Sequence, residues 1–478
     1  MKTYLIHRNA SSLVAAIAVA VLTACGGGGD SAADSVAAIS PGPTPGVVTT
    51  PAAASKAWGT ARLIDADNTT QNETSPWIAM DASGKVLAGW LRYDGTRPSL
   101  WSSFSMLGND WSKAMPLPTN NADTSFISDI KFDANGNALA VGMQRDGTQQ
   151  NIWANRYTPG IGWGTAARIK TNDKAVVEGL KIAFDDSSNA MVVWSQSDNA
   201  NPFNIWANRY TPGSGWGTAE LIESDNTGSA SGVEIAFDPR GNALAVWQQS
   251  DGNNRLSLYA NRYTPGGGWG TAALIETNEG DASHPKIALD ASGNALVVWT
   301  QSEGSRFSRT DRSNIWTNRY TPGDGWGTAK LIDANNARLA IGAKIAMNAS
   351  GNAMAVWFQT DSPHSNIWAN RYTPGSGWGT PEVIETDNAG DASNPQIAMD
   401  ADGSVLAVWR QSDDGRFNIR TNRYIPGSGW SKAAALIEYS NARYAYLPQI
   451  AMNASGNAVA VWQQSDGPRQ KVWVASYR

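Results

Sequence analysis

A period of about 52 residues governs the chain from Trp58 onward, and few folds can absorb it. Three signatures mark the period, each present eight times. A Gly-Trp position recurs at Trp58, Trp111, Trp163, Trp216, Trp269, Trp326, Trp378 and Trp430. An Ile-Ala-x-Asp type run begins at Ile78, Ile130, Ile182, Ile235, Ile287, Ile345, Ile397 and Ile450. An Ala-Leu-Ala-Val-Trp type run ends at Trp90, Gly142, Trp194, Trp247, Trp299, Trp357, Trp409 and Trp462. The string Asn366–Thr380 and its copies at Asn151–Thr165 and Asn204–Thr218 carry the first signature.

Each unit reads as four short strands. In the fifth they are expected at Lys286–Leu289, Ala295–Thr300, Asn314–Tyr320 and Thr328–Ile332, here called a, b, c and d. Asp290-Ala-Ser-Gly-Asn294 between a and b suits a type I turn closed by a left-handed glycine. Thr321-Pro-Gly-Asp-Gly-Trp326 between c and d is equally tight. No 3.6-residue periodicity runs for ten residues after the leader, so helices are not expected.

A four-stranded sheet of this size cannot bury both its faces alone. Eight such sheets packed in a ring can, and the expected fold is an all-β, eight-bladed β-propeller of antiparallel blades. A solenoid would want shorter coils and capping units, and immunoglobulin-like domains a period nearer 100. The ends sharpen this. The body opens on a lone d-type strand, Trp58–Ile64, and closes on a, b and c of a last unit, through Tyr477. The surplus strand at one end is expected to complete the last blade at the other.

Ahead of the repeats lie two further segments. Residues 1–25 read as a targeting leader, with Lys2 and Arg8 before the apolar run Ser12–Leu22. Leu22-Thr23-Ala24-Cys25 resembles a bacterial lipobox, which implies lipidation of Cys25, the one cysteine in the chain. Gly26 follows rather than Asp, which by the same resemblance implies the outer membrane, facing the periplasm or the surface. The expected membrane partner is thus met through an N-terminal lipid. Residues 26–56, rich in Gly, Pro and Ala, read as a tether too polar and too poor in apolar area to fold, and 57–478 as the propeller.

The run Ile235–Val246, of the pattern Ile-Ala-x-Asp-x-x-Gly-Asn-Ala-x-x-Val, resembles the first two strands of NHL-type propeller repeats. That implies strand order from axis to rim, and no substrate. The Trp-rich c–turn–d segment is similar to that of bacterial propeller lectins of the fucose-binding kind.

Chemistry is less legible. A net charge of −5 gives no footprint for nucleic acid, and none is expected as a partner. Two histidines in the body, His284 and His364, do not suggest a repeated zinc site, and no Asp-x-Asp-x-Asp-Gly loop, Gly-x-Ser-x-Gly elbow or phosphate loop occurs. We therefore expect no catalytic set, metal or cofactor. Of 22 tryptophans all but Trp77 fall on repeat positions, as inter-blade packing would require, although a ring of sugar platforms would use the same positions. The repeated strand-c arginine (Arg156, Arg209, Arg262, Arg319, Arg371, Arg423) is read as a pairing residue between blades.

In an up-and-down blade the a–b and c–d turns share one face, and the b–c and d–a loops the other. The turns are nearly uniform and the loops diverge, which places ligand candidates on the loop face. These are the acids that open d–a loops, Glu223, Glu276 and Glu385, and the arginines of the long b–c loop, Arg306, Arg309 and Arg312. The expected function is a monomeric, non-catalytic binding or scaffold module of the cell envelope. The partner is an unidentified protein or glycan. A glycan-binding lectin and a polysaccharide-acting hydrolase or lyase are the alternatives.

Overall fold

The computed structural model describes residues 56–478 except 66–70, 94, 96–97, 119–123, 147–148, 171–174, 199–201, 225–226, 253–254, 304–311, 334–338, 362, 387–389, 414 and 439–443. Cys25 and the tether lie outside the described residues. Among those described, all regular structure is β-strand, arranged in eight separate antiparallel sheets. Every sheet runs a–b–c–d, and the a strands of successive blades touch one another, the last against the first. The ring is therefore closed, with the a strands innermost.

In blade 5 the strands are a, Ala282–Leu289; b, Ala295–Ser302; c, Ser313–Thr321; and d, in two pieces, Gly325–Trp326 and Lys330–Leu331. The split in d departs from the continuous strand expected. Its cause is Asn318 in strand c, whose Nδ2 donates to Gly327 O at 3.0 Å and to Ile275 O of the preceding blade at 2.7 Å. A side-chain amide thus takes up the carbonyl that a ladder would have used, and the strand parts around it. Asn261 and Asn422 do the same in their blades.

The a–b turns form as their residues dictate. Asp290 Oδ1 accepts from Ser292 N and Asn294 N, both at 2.9 Å, and Gly293 takes φ +84°. The same glycine position packs against the previous blade. A Cβ on Gly351 (φ +81°) would lie 2.9 Å from Asp290 Oδ2 and 3.2 Å from Pro374 Cγ. Conformation and close approach both demand glycine there.

Strand b forms the core of each blade. Ala295, Leu296, Val297, Val298 and Trp299 are all buried, since strand b is covered on both faces by neighbouring blades. Clusters cross the seams: Val298, Ile315 and Ile332 of blade 5 pack with Ala340, Ala343, Ala355 and Trp357 of blade 6. The strand-b tryptophans from Trp90 to Trp462 are all fully buried. Each removes roughly 150–250 Å² from water, about 4–6 kcal/mol as an upper bound.

Blade 8 takes its a, b and c strands from Ala445–Met452, Ala458–Asp466 and Arg469–Tyr477. Its fourth strand is Arg62–Leu63, paired antiparallel in the register Arg62↔Val474 and Leu63↔Trp473, with a further bridge from Trp58 to Tyr477. The expected closure by the N-terminal strand is what the structure shows.

Strand a carries a feature absent from the sequence reading. Its register with strand b slips once in each blade, for example between Ser283 and Lys286. In seven blades a residue in the slip has φ between +53° and +72°: Ser75, Gly179, Gly232, His284, Gly342, Asn394 and Leu447. The slip is a β-bulge, and glycine fills it in only three of these.

Candidate functional site

The repeated polar residues are largely engaged within and between blades. On strand b, a tryptophan Nε1 donates to the glutamine two residues on, as in Trp299 to Gln301 at 2.8 Å and Trp462 to Gln464 at 2.9 Å. That glutamine in turn donates to the acid ending the preceding blade: Gln411 Nε2 to Glu385 Oε2, and Gln464 Nε2 to Glu438 Oε2, both at 2.8 Å. The acid also receives backbone N–H groups of its own strand c, as Asp333 Oδ2 does from Ile315 N at 3.0 Å. The acids that open d–a loops are therefore buried. Glu223 and Glu385 are 6% and 5% exposed, and Glu276 is fully enclosed, with Arg255 Nη2 at 3.2 Å. Asn204, oriented to donate, reaches Glu223 Oε1 at 2.7 Å.

Burial makes three of these carboxyls, Glu276, Asp333 and Glu438, harder to ionise. Desolvation raises Glu438 to about 8 and Asp333 to about 7. A carboxyl whose pKa is raised in the folded state stabilises most below its unfolded value, and that contribution fades as pH climbs through the folded value. For Glu438 the window runs from 4.5 to about 8. Glu438→Gln is accordingly expected to be neutral near pH 5 and stabilising at pH 8, shown by urea denaturation at both. An equal effect at both pH values would remove the explanation.

On the turn face, Arg156 Nη2 donates to Asp133 Oδ2 at 3.0 Å within its blade, and Nη1 to Tyr210 OH at 2.8 Å in the next. Arg209 repeats this with Asp185 and Tyr263, and Arg371 and Arg423 sit over Tyr424 and Tyr477. Blade 1 has Phe104 in place of the arginine. It stacks on Tyr157 at 4.1 Å, and Lys85 supplies the cation, 4.4 Å from the Tyr157 centroid. The Gly-Trp tryptophans are half-buried, and seven of them pack against a strand-c tyrosine, five edge-on, as Trp326 on Tyr320 at 5.5 Å. Two seams retain open grooves at this level. One, of about 520 Å³, lies between blades 5 and 6 beside Arg319, Asn370, Tyr372 and Trp378. The other, of about 480 Å³, lies between blades 7 and 8 beside Arg423, Asn422, Trp58 and Tyr477.

Eightfold likeness breaks down at one register of strand a, just before the Ile-Ala signature. Around the ring it holds Trp77, Asp129, Lys181, Glu234, Lys286, Lys344, Gln396 and Gln449. All eight occupy one place in the ladder, opposite Gly89 in blade 1 and a valine in the other seven. Lys181 Nζ lies 3.5 Å from Glu234 Oε1, and Lys286 Nζ donates to the same oxygen from the other side. Lys344 feels Glu234 and Lys181 as well as Lys286, so residues of four blades converge near the axis. Sequence reasoning passed over this position because it has no consensus; variation at a fixed step before a constant signature was the available signal.

From that register a cleft of about 520 Å³ opens between blades 5 and 6 toward the loop face. Its lining includes His284, Lys286, Arg312, Lys344, Ile341 and Phe358. His284 is the left-handed residue of its bulge; its backbone N donates to Gln248 Oε1 at 2.8 Å, and its Nδ1 lies 3.1 Å from Ser283 Oγ. Burial pushes Lys344 down to about 8, with Lys286 and Lys181 adding to the effect and Glu234 opposing it. His284 is lowered by burial, then by Lys286 and Lys344. Of the residues expected on the loop face, Arg312 lines this cleft, Arg306 and Arg309 lie outside the described residues, and the three glutamates are within the blade interiors. Among the described residues no group of three His, Cys, Asp or Glu is placed to hold a metal ion.

No family model matches the sequence, and no curated protein does. Solved structures match in shape. An ulvan lyase, a polysaccharide lyase, superposes with a TM-score of 0.50 at 9% identity, covering 78% of this chain and 96% of its own. The likeness is one of fold. The sialidase NanB of Streptococcus pneumoniae (TM-score 0.37, 14% identity, 86% of this chain and 69% of its own) lies further off. So does a protein of unknown function from Dyadobacter fermentans (0.41, 12%, 65% and 96%).

Proposed function

We propose that the chain is a binding module of the cell envelope, held there by lipid on Cys25 and the 26–56 tether. It takes its ligand on the face formed by the b–c and d–a loops. The observation that carries this is the asymmetry between faces. On the turn face the recurring Arg, Asp, Tyr and Gly are used in joining blades. On the loop side one seam departs from the repeat and opens a cleft lined by divergent residues. The soluble body, residues 57–478, displayed on a glycan array and used to capture envelope proteins, tests the reading. Ligand capture lost on substituting Lys286 and Arg312 supports it. Cleavage of a polysaccharide would replace it with an enzymatic reading. Cys25→Ser is expected to abolish palmitate incorporation and free the protein from the membrane fraction.

A lectin reading has one observation of its own. The two seam grooves each offer a half-buried tryptophan, a tyrosine, an arginine and an amide, the chemistry that grips a sugar ring. Loss of glycan binding in Trp378→Ala with the loop face intact would favour it.

A further inference from the structure

We propose that the cleft between blades 5 and 6 is an anion-binding site, suited to a ligand that carries an acidic group on a sugar-sized ring. The inference rests on the loop-face reading and adds the class of ligand.

Three cations, Lys286, Arg312 and Lys344, line one cavity together with His284, which burial lowers from 6.5 and leaves neutral at pH 7. The acids in reach do not balance them. Glu234 is shared between Lys286 and Lys181. Glu303 lies 4.0 Å from Arg312 Nη1 at the rim, where both side chains are about half exposed and the pair is weak. Lys344 has no carboxylate within 4.0 Å among the described residues. The groups that bear on it are Lys286, Glu234 and Lys181, two of them cations. A concave, partly desolvated wall of one sign attracts the opposite sign and holds it more strongly than open water would.

The backbone is arranged to expose these groups. Blade 5 places His284 at a left-handed position that three other blades give to glycine, and strain of this kind persists where the surroundings over-determine it. In the next blade the equivalent residue is Gly342. A Cβ there would come within 2.9 Å of the Phe358 ring, so the bare backbone is what lets the ring lie beside the cleft. Phe358, Ile341 and Leu339 give an apolar wall facing the cations. A cavity of about 520 Å³ with one apolar wall and a few converging polar groups is of small-ligand size. An inorganic anion would satisfy the charge alone. An acidic saccharide would also use the apolar wall, through the C–H face of its ring.

Calorimetric titration of the soluble body (57–478) at low ionic strength and pH 7 separates these cases, with glucuronate, inorganic sulfate and glucose as probes. Glucuronate is expected to bind, sulfate more weakly, and glucose not at all, with affinity falling as salt is added. Lys344→Met should weaken glucuronate about tenfold or more. The same substitution removes a buried cation short of counter-charge, so its melting temperature should hold or rise, which guards against loss by misfolding. Lys286→Met is the second variant, and Lys432→Met, exposed on the turn face, should leave binding unchanged. Because Lys344 titrates near 8, binding at pH 8 should take up protons, and affinity should fall between pH 7 and 9. Equal binding of glucose and glucuronate, or full affinity in both lysine variants, would overturn the anion site. If array ligands are all neutral yet still lost on loop-face substitution, the anion site falls and the face assignment stands. Ligands lost only on turn-face substitution would overturn the face assignment itself.

Discussion

Removing residues 57–65 from the body is expected to lower its stability by an amount comparable to that of a whole domain. Besides the ladder of Arg62 and Leu63 with Val474 and Trp473, four backbone hydrogen bonds go with the segment: Ala57 N to Arg478 O at 3.0 Å, Gly59 N to Ser476 O at 2.8 Å, Ile64 N to Val472 O at 3.0 Å and Arg478 N to Ala57 O at 3.2 Å. At about 1 kcal/mol each, they are the smaller part. Ile64 and Ala61 are 3% and 6% exposed and pack into clusters that join blade 8 to its neighbours. Burial of the isoleucine alone is worth about 1.5–3 kcal/mol. Trp58 leaves Tyr477 bare, and Asp65 leaves Arg92 with less counter-charge. Together these terms reach on the order of 8 kcal/mol, against about 5–15 kcal/mol for a typical domain. Urea denaturation of 57–478 beside 66–478 measures the difference, and a synthetic 57–65 peptide should restore part of it in trans. A truncated body melting within about 2 °C of the longer one would mean that the ring does not depend on this strand.

The second large effect is expected at Arg92. Where blades 7 and 8 have the tryptophan–glutamine–glutamate chain of hydrogen bonds, the first seam has charges. Arg92 is paired to Asp65, lies 3.3 Å from Glu73, and Glu73 lies 3.4 Å from Lys471 of blade 8. All four are buried. Desolvation holds Arg92 down to about 10 and raises Glu73. Arg92→Met would strand two buried carboxylates with one lysine, a loss of about 3–5 kcal/mol. The loss should shrink toward pH 4.5, because carboxyls with raised folded pKa regain stability as they protonate. Arg92→Gln is expected to be milder. Arginine has no acceptor, so Trp90 Nε1 is buried without a partner, and a glutamine would supply one as Gln464 does for Trp462. Combining Arg92→Gln with Asp65→Asn should recover more than either alone. A fully tolerated Arg92→Met would show that the quartet contributes nothing to closure.

What could be read beforehand follows from what repetition reveals. Ile-Ala-x-Asp and Ala-Leu-Ala-Val-Trp recur because every blade must solve the same packing problem, so blade number, strand order and the offset that closes the ring were legible. Seam chemistry was legible in kind: Arg156 and its copies were expected to pair blades, and Arg156 and Arg209 bind Asp in their own blade and Tyr in the next, while Arg319 turns to Thr321 of its own strand. Burial of Glu223, Glu276 and Glu385 was not legible. An acid opening a loop reads as solvated unless it is known that strand c turns N–H groups toward it. The axial register was hidden for the opposite reason. Asp129, Lys181, Glu234, Lys286 and Lys344 are unrelated letters in five separate stretches, and only the ring brings them together.

The borrowed strand in blade 8 also gives the propeller a polarity. Lys56, where the described chain begins, donates to Ser455 O in the a–b turn of that blade. The chain therefore enters at the uniform-turn end and runs up the outer edge toward the loops. Lys56 and Arg478 thus lie on the uniform-turn side of the ring, and the cationic cleft opens toward the loops. A partner joined after Arg478, hydrogen-bonded to Ala57, would therefore be placed on the side away from the cleft.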